Sequence, residues 1–165
     1  MNAAPHVRPA CENDLAEINA IYNDYVLHST CTYQLTPDTD ESRLAWFRAR
    51  SDRHPVTVAE LDGRIVGWAS LNRYHPREAY ARTVENSVYV RSDLHRRGIG
   101  RALLADLLER ARRLDHHTML ACISAEQIAS IALHEAFGFQ KAALLRELGW
   151  KQDMWLDVVM LQLML

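Results

Sequence analysis

Apolar positions recur along this chain with two periods, and the switches between them predict its elements. His6-Val7-Arg8 reads as a short strand. Leu15, Ile18, Ile21, Tyr22, Tyr25 and Val26 then follow helical spacing, with Glu12 and Asp14 placed to favour a helix N-terminus. After a loop carrying Thr30-Cys31-Thr32-Tyr33, a second helix is expected from about Asp40 to Ser51, with Leu44 and Phe47 on its inner face. The β-branched runs Val56–Ala59 and Ile65–Ala69 read as strands, and Asp62-Gly63 between them is a hairpin-turn signal. An irregular stretch, 72–82, leads to a strand at Val84–Val90. Gly98–Leu114 is a long helix, its stripe of Ile99, Leu103, Leu107 and Leu114 lying opposite Asp106, Glu109 and Arg113. A strand at Met119–Ile123, a short helix at Ala129–Ala136 ended by Gly138, and strands at Lys141–Leu145 and Trp155–Leu163 complete the series. Two helices after the first strand, three strands in succession and an αβαββ finish predict an α/β fold. Its central sheet is mixed and mostly antiparallel, with helices on both faces. No repeat, low-complexity tract or Pro/Gly-rich linker divides the chain, so a single domain over 1–165 is expected.

Composition narrows the function classes. A formal charge of −2 gives no general attraction for nucleic acid or acidic membrane, and no apolar run approaches the ~18 residues of a membrane span. Met1–Pro9 has no signal-peptide core. Cys11, Cys31 and Cys122 are too few and too widely spaced for a disulfide framework or a zinc site, so they read as reduced, buried thiols of a cytoplasmic protein. None of the 8 histidines falls in a metal-ligand spacing, so no metal is expected. His116-His117 and Arg110, Arg112 and Arg113 read as a solvated helix end.

The chemistry-bearing stretch is Val88 to Leu104, a strand that runs into a basic turn, then Gly98-Ile99-Gly100, then a helix. Glycine permits close backbone approach, and free N–H groups at a helix start form an anion nest. Arg96, Arg97 and Arg101 add charge around it, which suits a diphosphate. A dinucleotide fingerprint fails because Leu103 stands where the third glycine belongs, and no Gly-Lys-Ser/Thr phosphate loop is present.

That stretch resembles the pyrophosphate loop, Q/R-x-x-G-x-G/A, of the GNAT superfamily of N-acetyltransferases. The chain more narrowly resembles the phosphinothricin and methionine sulfoximine acetyltransferases. The matching pieces are Ile21-Tyr22-Asn23, Thr32-Tyr33, Ala79 to Val90, Ala129 to Phe139, Leu145 to Lys151 and Trp155-Leu156-Asp157. The resemblance implies acetyl-CoA as co-substrate, a small-molecule amine as substrate and a homodimer. It places the cofactor's pantetheine arm beside Val88, Tyr89 and Val90, and its diphosphate on His95, Arg96, Arg97, Gly98, Ile99, Gly100 and Arg101. The chain departs from the family pattern twice, with His95 at the Q/R position and Gln127 where an Asn usually bonds the pantetheine.

An amine must lose its proton before it can attack a thioester, so a base is required. Glu85 lies in an otherwise apolar strand, where desolvation raises a carboxyl pKa, and it falls on the family's proposed catalytic glutamate. His134 has two readings, donor of a proton to the departing thiolate or hydrogen-bonding anchor of its helix. Backbone N–H groups around Tyr89 are expected to meet the oxyanion. Arg77 and Arg82 flank Tyr80 and suit a substrate carboxylate, while Tyr33 and Trp155 are candidate pocket walls. These residues point to acetylation of the α-amine of a small amino-acid analogue such as phosphinothricin, methionine sulfoximine or methionine sulfone. The competing readings are acetylation of a protein N-terminus, polyamine or aminoglycoside, and a non-catalytic acyl-CoA-binding module.

Overall fold

The computed structural model describes residues 4–165; the first three positions of the expected 1–165 domain lie outside the described residues. The regular elements are β1 (His6–Pro9), α1 (Leu15–His28), α2 (Asp40–Arg48), β2 (Val56–Leu61), β3 (Arg64–Arg73), β4 (Thr83–Val90), α3 (Ile99–Arg113), β5 (Thr118–Ser124), α4 (Ile128–Glu135), β6 (Gln140–Lys151) and β7 (Met154–Met164). Their order matches the one read from the periods. The seven strands form one sheet in the order β1-β2-β3-β4-β5-β7-β6, antiparallel at every step except β4–β5.

Strand alternation sends successive side chains to opposite faces, and each face has its own core. On one, Leu103, Leu104 and Leu107 of α3 meet Ala69, Leu71, Met119 and Leu161. On the other, Ile18 of α1 packs with Val58, Ile65 and Trp68. Burying each such aliphatic side chain contributes about 1.5–3 kcal/mol. In the second helix Leu44 and Phe47 pack against this core as expected, though only partly covered, while its one fully buried residue is Arg43, 3% exposed. The guanidinium donates to Asp38 Oδ2 at 2.6 Å and lies over the rings of Tyr22 and Trp46 at 4.6 and 4.8 Å. A paired, stacked charge is one that an interior tolerates.

Asp62 and Gly63 both have positive φ, 51° and 74°, the two-residue turn the sequence signals. Gln152 and Asp153 make the same kind of turn with φ of 52° and 58° and no glycine, joining a β6 far longer than the pattern predicts to a β7 close to its predicted bounds. Between Leu145↔Val158 and Gly149↔Leu156 the register slips, so Arg146, Glu147 and Leu148 face Asp157 alone. Asp157 Oδ1 accepts the Glu147 N–H at 2.8 Å and holds this bulge.

Two expectations about burial are corrected. The three cysteines are free, but Cys11 and Cys122 are exposed and Cys31 is half-buried; Cys122 faces an open cleft. His116 is not solvated: it is 4% exposed, and its Nε2–H donates to Arg53 O at 2.8 Å. Arg110 is partly covered and pairs with Asp106, while Arg112, Arg113 and His117 stay exposed. Among the described residues no helix is long and apolar enough to cross a membrane.

The feature that positions a site is the parting of β4 from β5. The parallel pair holds only at Thr83↔Thr118, Val84↔Met119 and Glu85↔Leu120. Beyond it, β4 continues beside β3 as far as Val90, and β5 continues beside β7 as far as Ser124. Asn86 Nδ2 donates to Leu120 O at 3.2 Å, so a side chain takes a carbonyl next to the last ladder pair.

Candidate active site

A cavity of about 320 Å³ opens where the strands part. Its walls include Glu85, Asn86, Ser87, Val88 and Tyr89 of β4, Cys122 and Ser124 of β5, Gln127 just before α4, and His134 of α4. Tyr33 closes one side, and Leu145 and Leu148, flanking and within the bulge, close another. Glu85, Val88, Tyr89, Gln127, His134 and Tyr33 therefore converge as the sequence suggests.

Burial raises the Glu85 carboxyl above its ordinary pKa, and a hydrogen bond from the Cys122 thiol opposes the shift. The thiol itself is pushed up to about 11, by burial first and then by the carboxylate charge, so it stays protonated and able to donate. His134 is 3% exposed. Its Nδ1–H donates to Ser130 O at 2.8 Å, and its Nε2 lies 3.0 Å from Asn86 Oδ1. An acceptor at each nitrogen favours a charged ring, but burial is the larger effect and lowers its pKa. Gln127 Nε2 donates to Thr30 Oγ1 at 3.3 Å. Ser124 Oγ is buried with no partner among the described residues, an unmet polar group on the cavity wall.

At the far end of β4 the chain turns into α3. Gly98 has φ +81°, a conformation that suits glycine, and no side chain caps the helix, so its first N–H groups face outward. Gly100 has more room than expected: a Cβ there would meet Leu133 and Val90 at ordinary distances. Arg96 and Arg97 are exposed around this nest, while the Arg101 guanidinium lies 5.2 Å over the Phe137 ring. His95 is exposed as well, but its ring is held by hydrogen bonds to its neighbours. Tyr25, which the sequence reading missed, donates its hydroxyl to Val90 O at 2.5 Å and accepts from His95 Nε2 at 2.6 Å. α1 is thereby tied to both sides of the turn. Only the helical period of Tyr25 was visible in sequence, and that reads as core.

Three of the four expected substrate-binding residues stay away from this cavity. Arg82 is held at the opposite end of β4 by Asp115, at 2.5 Å to Oδ1 and 3.1 Å to the backbone oxygen. Arg77 is exposed on the loop before β4. Trp155 is 59% exposed and packs on Trp150, its register partner, at 5.1 Å, on a hairpin face outside the cavity. Among the described residues no group of three or more His, Cys, Asp or Glu side chains could hold a metal ion.

Tyr33 owes its place to Gly149. A Cβ on Gly149 would stand 2.9 Å from Tyr33 Cε2 and 3.0 Å from Cδ2. Gly149→Ala should therefore destabilise the protein by about 1–3 kcal/mol in chemical denaturation, the usual cost of overpacking. Adding Tyr33→Ala should remove most of that penalty. Simply additive costs would show that the ring does not rest on Gly149.

Known proteins agree with this architecture. The family model for the acetyltransferase (GNAT) family matches residues 18–139. The L-methionine sulfoximine/L-methionine sulfone acetyltransferase of Pseudomonas paraeruginosa is 41% identical over 159 residues, 95% of this chain and 92% of that protein. The phosphinothricin acetyltransferase of Sinorhizobium meliloti, solved with acetyl-CoA, superposes at a TM-score of 0.94 with 34% identity, over 99% of this chain and 89% of its own. A ribosomal-protein-alanine N-acetyltransferase from Brucella melitensis gives a TM-score of 0.94 at 41% identity, over 97% and 99%. The chain belongs to the GNAT family of acetyltransferases, which take their acetyl group from acetyl-CoA.

Proposed function

We propose that this chain transfers an acetyl group from acetyl-CoA to the α-amine of a small amino-acid analogue of the methionine sulfoximine, methionine sulfone or phosphinothricin type. The observation that carries the reading is Glu85, a carboxylate of raised pKa on the wall of the cleft between β4 and β5. The relative acting on methionine sulfoximine supports the substrate class. The residues fit the cofactor, since an uncapped helix start with Arg96 and Arg97 beside it suits a diphosphate, and the β4–β5 cleft suits an extended arm.

Bound acetyl-CoA would supply an activated acyl carbon. Glu85, directly or through one water, takes one proton from the substrate ammonium so that the nitrogen lone pair can attack; the C–N bond would form as the C–S bond breaks, and CoA would leave as a thiolate that takes up the nitrogen's second proton. N–H groups of β4 near Tyr89 would stabilise the oxygen on which charge gathers. His134, held by Ser130 O and lying against Asn86, whose amide braces β5, suits the anchoring part. Cys122 holds the carboxylate and keeps its own proton.

The homodimer belongs to the same proposal. Leu148, Trp150 and Trp155 are at least half exposed on the β6–β7 hairpin, and a patch of that kind favours a partner. Arg77, outside its own cavity, would then serve a carboxylate only from a second copy. Trp155→Glu should convert a dimer to a monomer in light scattering; an unchanged mass would move the interface elsewhere.

Glu85→Gln should lower kcat by about 10²–10⁴-fold with little change in the acetyl-CoA KM. The loss should shrink as pH rises and the amine deprotonates unaided. Because the Glu85 pKa is raised, wild-type kcat/KM should fall on acidification above the ordinary carboxylate range. A thiol-release assay over methionine sulfone, methionine sulfoximine, phosphinothricin, a polyamine and an Ala-initiated peptide tests the substrate. Preference for the peptide would favour the protein N-terminus instead, the activity named for the Brucella structure.

A further inference from the structure

A one-way chain of hydrogen bonds on the α1/α2 face of the sheet ends at the cavity. It begins at Arg50, just after α2, whose Nη1 and Nη2 both donate to Asn72 Oδ1 at 3.3 Å. Ser70 Oγ donates to the same oxygen at 3.2 Å. The other donors of Arg50 go to the backbone oxygens of His54 and Leu71, and its guanidinium lies 4.6 Å over the Trp46 ring. No carboxylate joins this set among the described residues. Burial lowers the Arg50 pKa to about 10, which leaves it charged at neutral pH.

The direction of the chain is fixed by what each group can do. A guanidinium only donates, so the Asn72 oxygen must face Arg50 and its NH₂ must point the other way. That nitrogen lies 2.9 Å from Ser87 Oγ, which accepts because an amide nitrogen cannot. Ser87 then has its own proton left to give, and no acceptor takes it among the described residues. Ser87 lines the cavity, two residues along β4 from Glu85, on the same face of the strand. Two residues of strand span about 6.6 Å, a distance a small amino acid bridges between its amine and a distal oxygen.

We propose that Asn72, held by Arg50, is a positioning residue that fixes the Ser87 hydroxyl as a donor to an anionic or strongly polar oxygen of the amine substrate. The inference rests on the acetyltransferase reading and adds to it the recognition of an acceptor group at a set distance from the base. Arg50 touches no substrate. Its part is to hold the amide in one orientation.

Asn72→Asp is the discriminating variant. It keeps the shape and still accepts from Arg50 and Ser70, but the oxygen replacing the NH₂ accepts the Ser87 proton and turns that donor away from the cavity. Arg50 gains a carboxylate partner, so Tm should hold or rise. The amine KM should increase about tenfold, the scale of one lost hydrogen bond to a charged group, with the acetyl-CoA KM unchanged. Ser87→Ala should show a similar loss. Asn72→Asp combined with Ser87→Ala should be no worse than either alone, because both remove the same donor. Additive losses, or an unchanged amine KM, would overturn the proposal while leaving acetyl transfer intact. So would a loss that vanishes at high pH, which would mean that the introduced carboxylate acts by raising the Glu85 pKa across the strand pair. Absence of acetyl transfer by the wild-type chain to any amine would sink the functional reading, and this proposal with it.

Discussion

β4 and β5 are hydrogen-bonded at three positions and then part, and the candidate site depends on that parting. A parallel pair carried to the ends of both strands would satisfy the backbone of β4 on both sides and leave no room between them. Here the last shared rung is Glu85↔Leu120. Every β4 residue beyond it has a strand partner only in β3. The exposed edge is a row of backbone groups ready for a ligand, as in strand addition to a sheet edge. It leads to the start of α3, where the free N–H groups gather. The two halves of an elongated, terminally anionic ligand are thus matched by consecutive pieces of one chain segment.

The cleft is braced as well as opened. Asn86 bonds Leu120 and His134, α4 holds His134 through Ser130, and Tyr25 joins α1 to the end of β4 and to His95. Two cations, the buried Arg43 and the half-buried Arg50, are stabilised in different ways. Arg43 has a carboxylate, whereas Arg50 has only neutral acceptors and an aromatic face. The carboxylate of the site, Glu85, is left without a cation among its hydrogen-bond partners. Its charged form is therefore held back by burial, the condition a base needs to act near neutral pH.

The periods of the sequence carried the order of elements, the hairpin at Asp62-Gly63 and the helix behind Gly98, because these are local. Glu85 was legible as a carboxylate in an apolar run, and Gln127 and His134 through the resemblance. Contacts between distant segments were not legible. Tyr25 reads as a core position until its hydroxyl meets Val90 O; Asn72 and Ser87 read as ordinary strand polars until the β3–β4 register brings them together. The misplacements have the same origin. Arg82 suits a carboxylate by chemistry, but the turn after α3 brings Asp115 to it first. Trp155 lies in a matching motif, yet strand alternation puts it on the outer face. β6 looked short because the bulge at 146–148 breaks its alternation, and its turn contains no glycine.

The whole reading of the site turns on the proposal that the unpaired edge of β4 and the start of α3 together receive the cofactor. Hydrogen–deuterium exchange with and without CoA, which binds without turnover, tests it most directly. Exchange should slow in peptides covering 86–90 and 96–102. Little change is expected at 83–85, where β4 is already paired on both sides. Protection confined to the separate groove lined by Glu17, Arg64 and Asp93, with 86–90 unaffected, would contradict it.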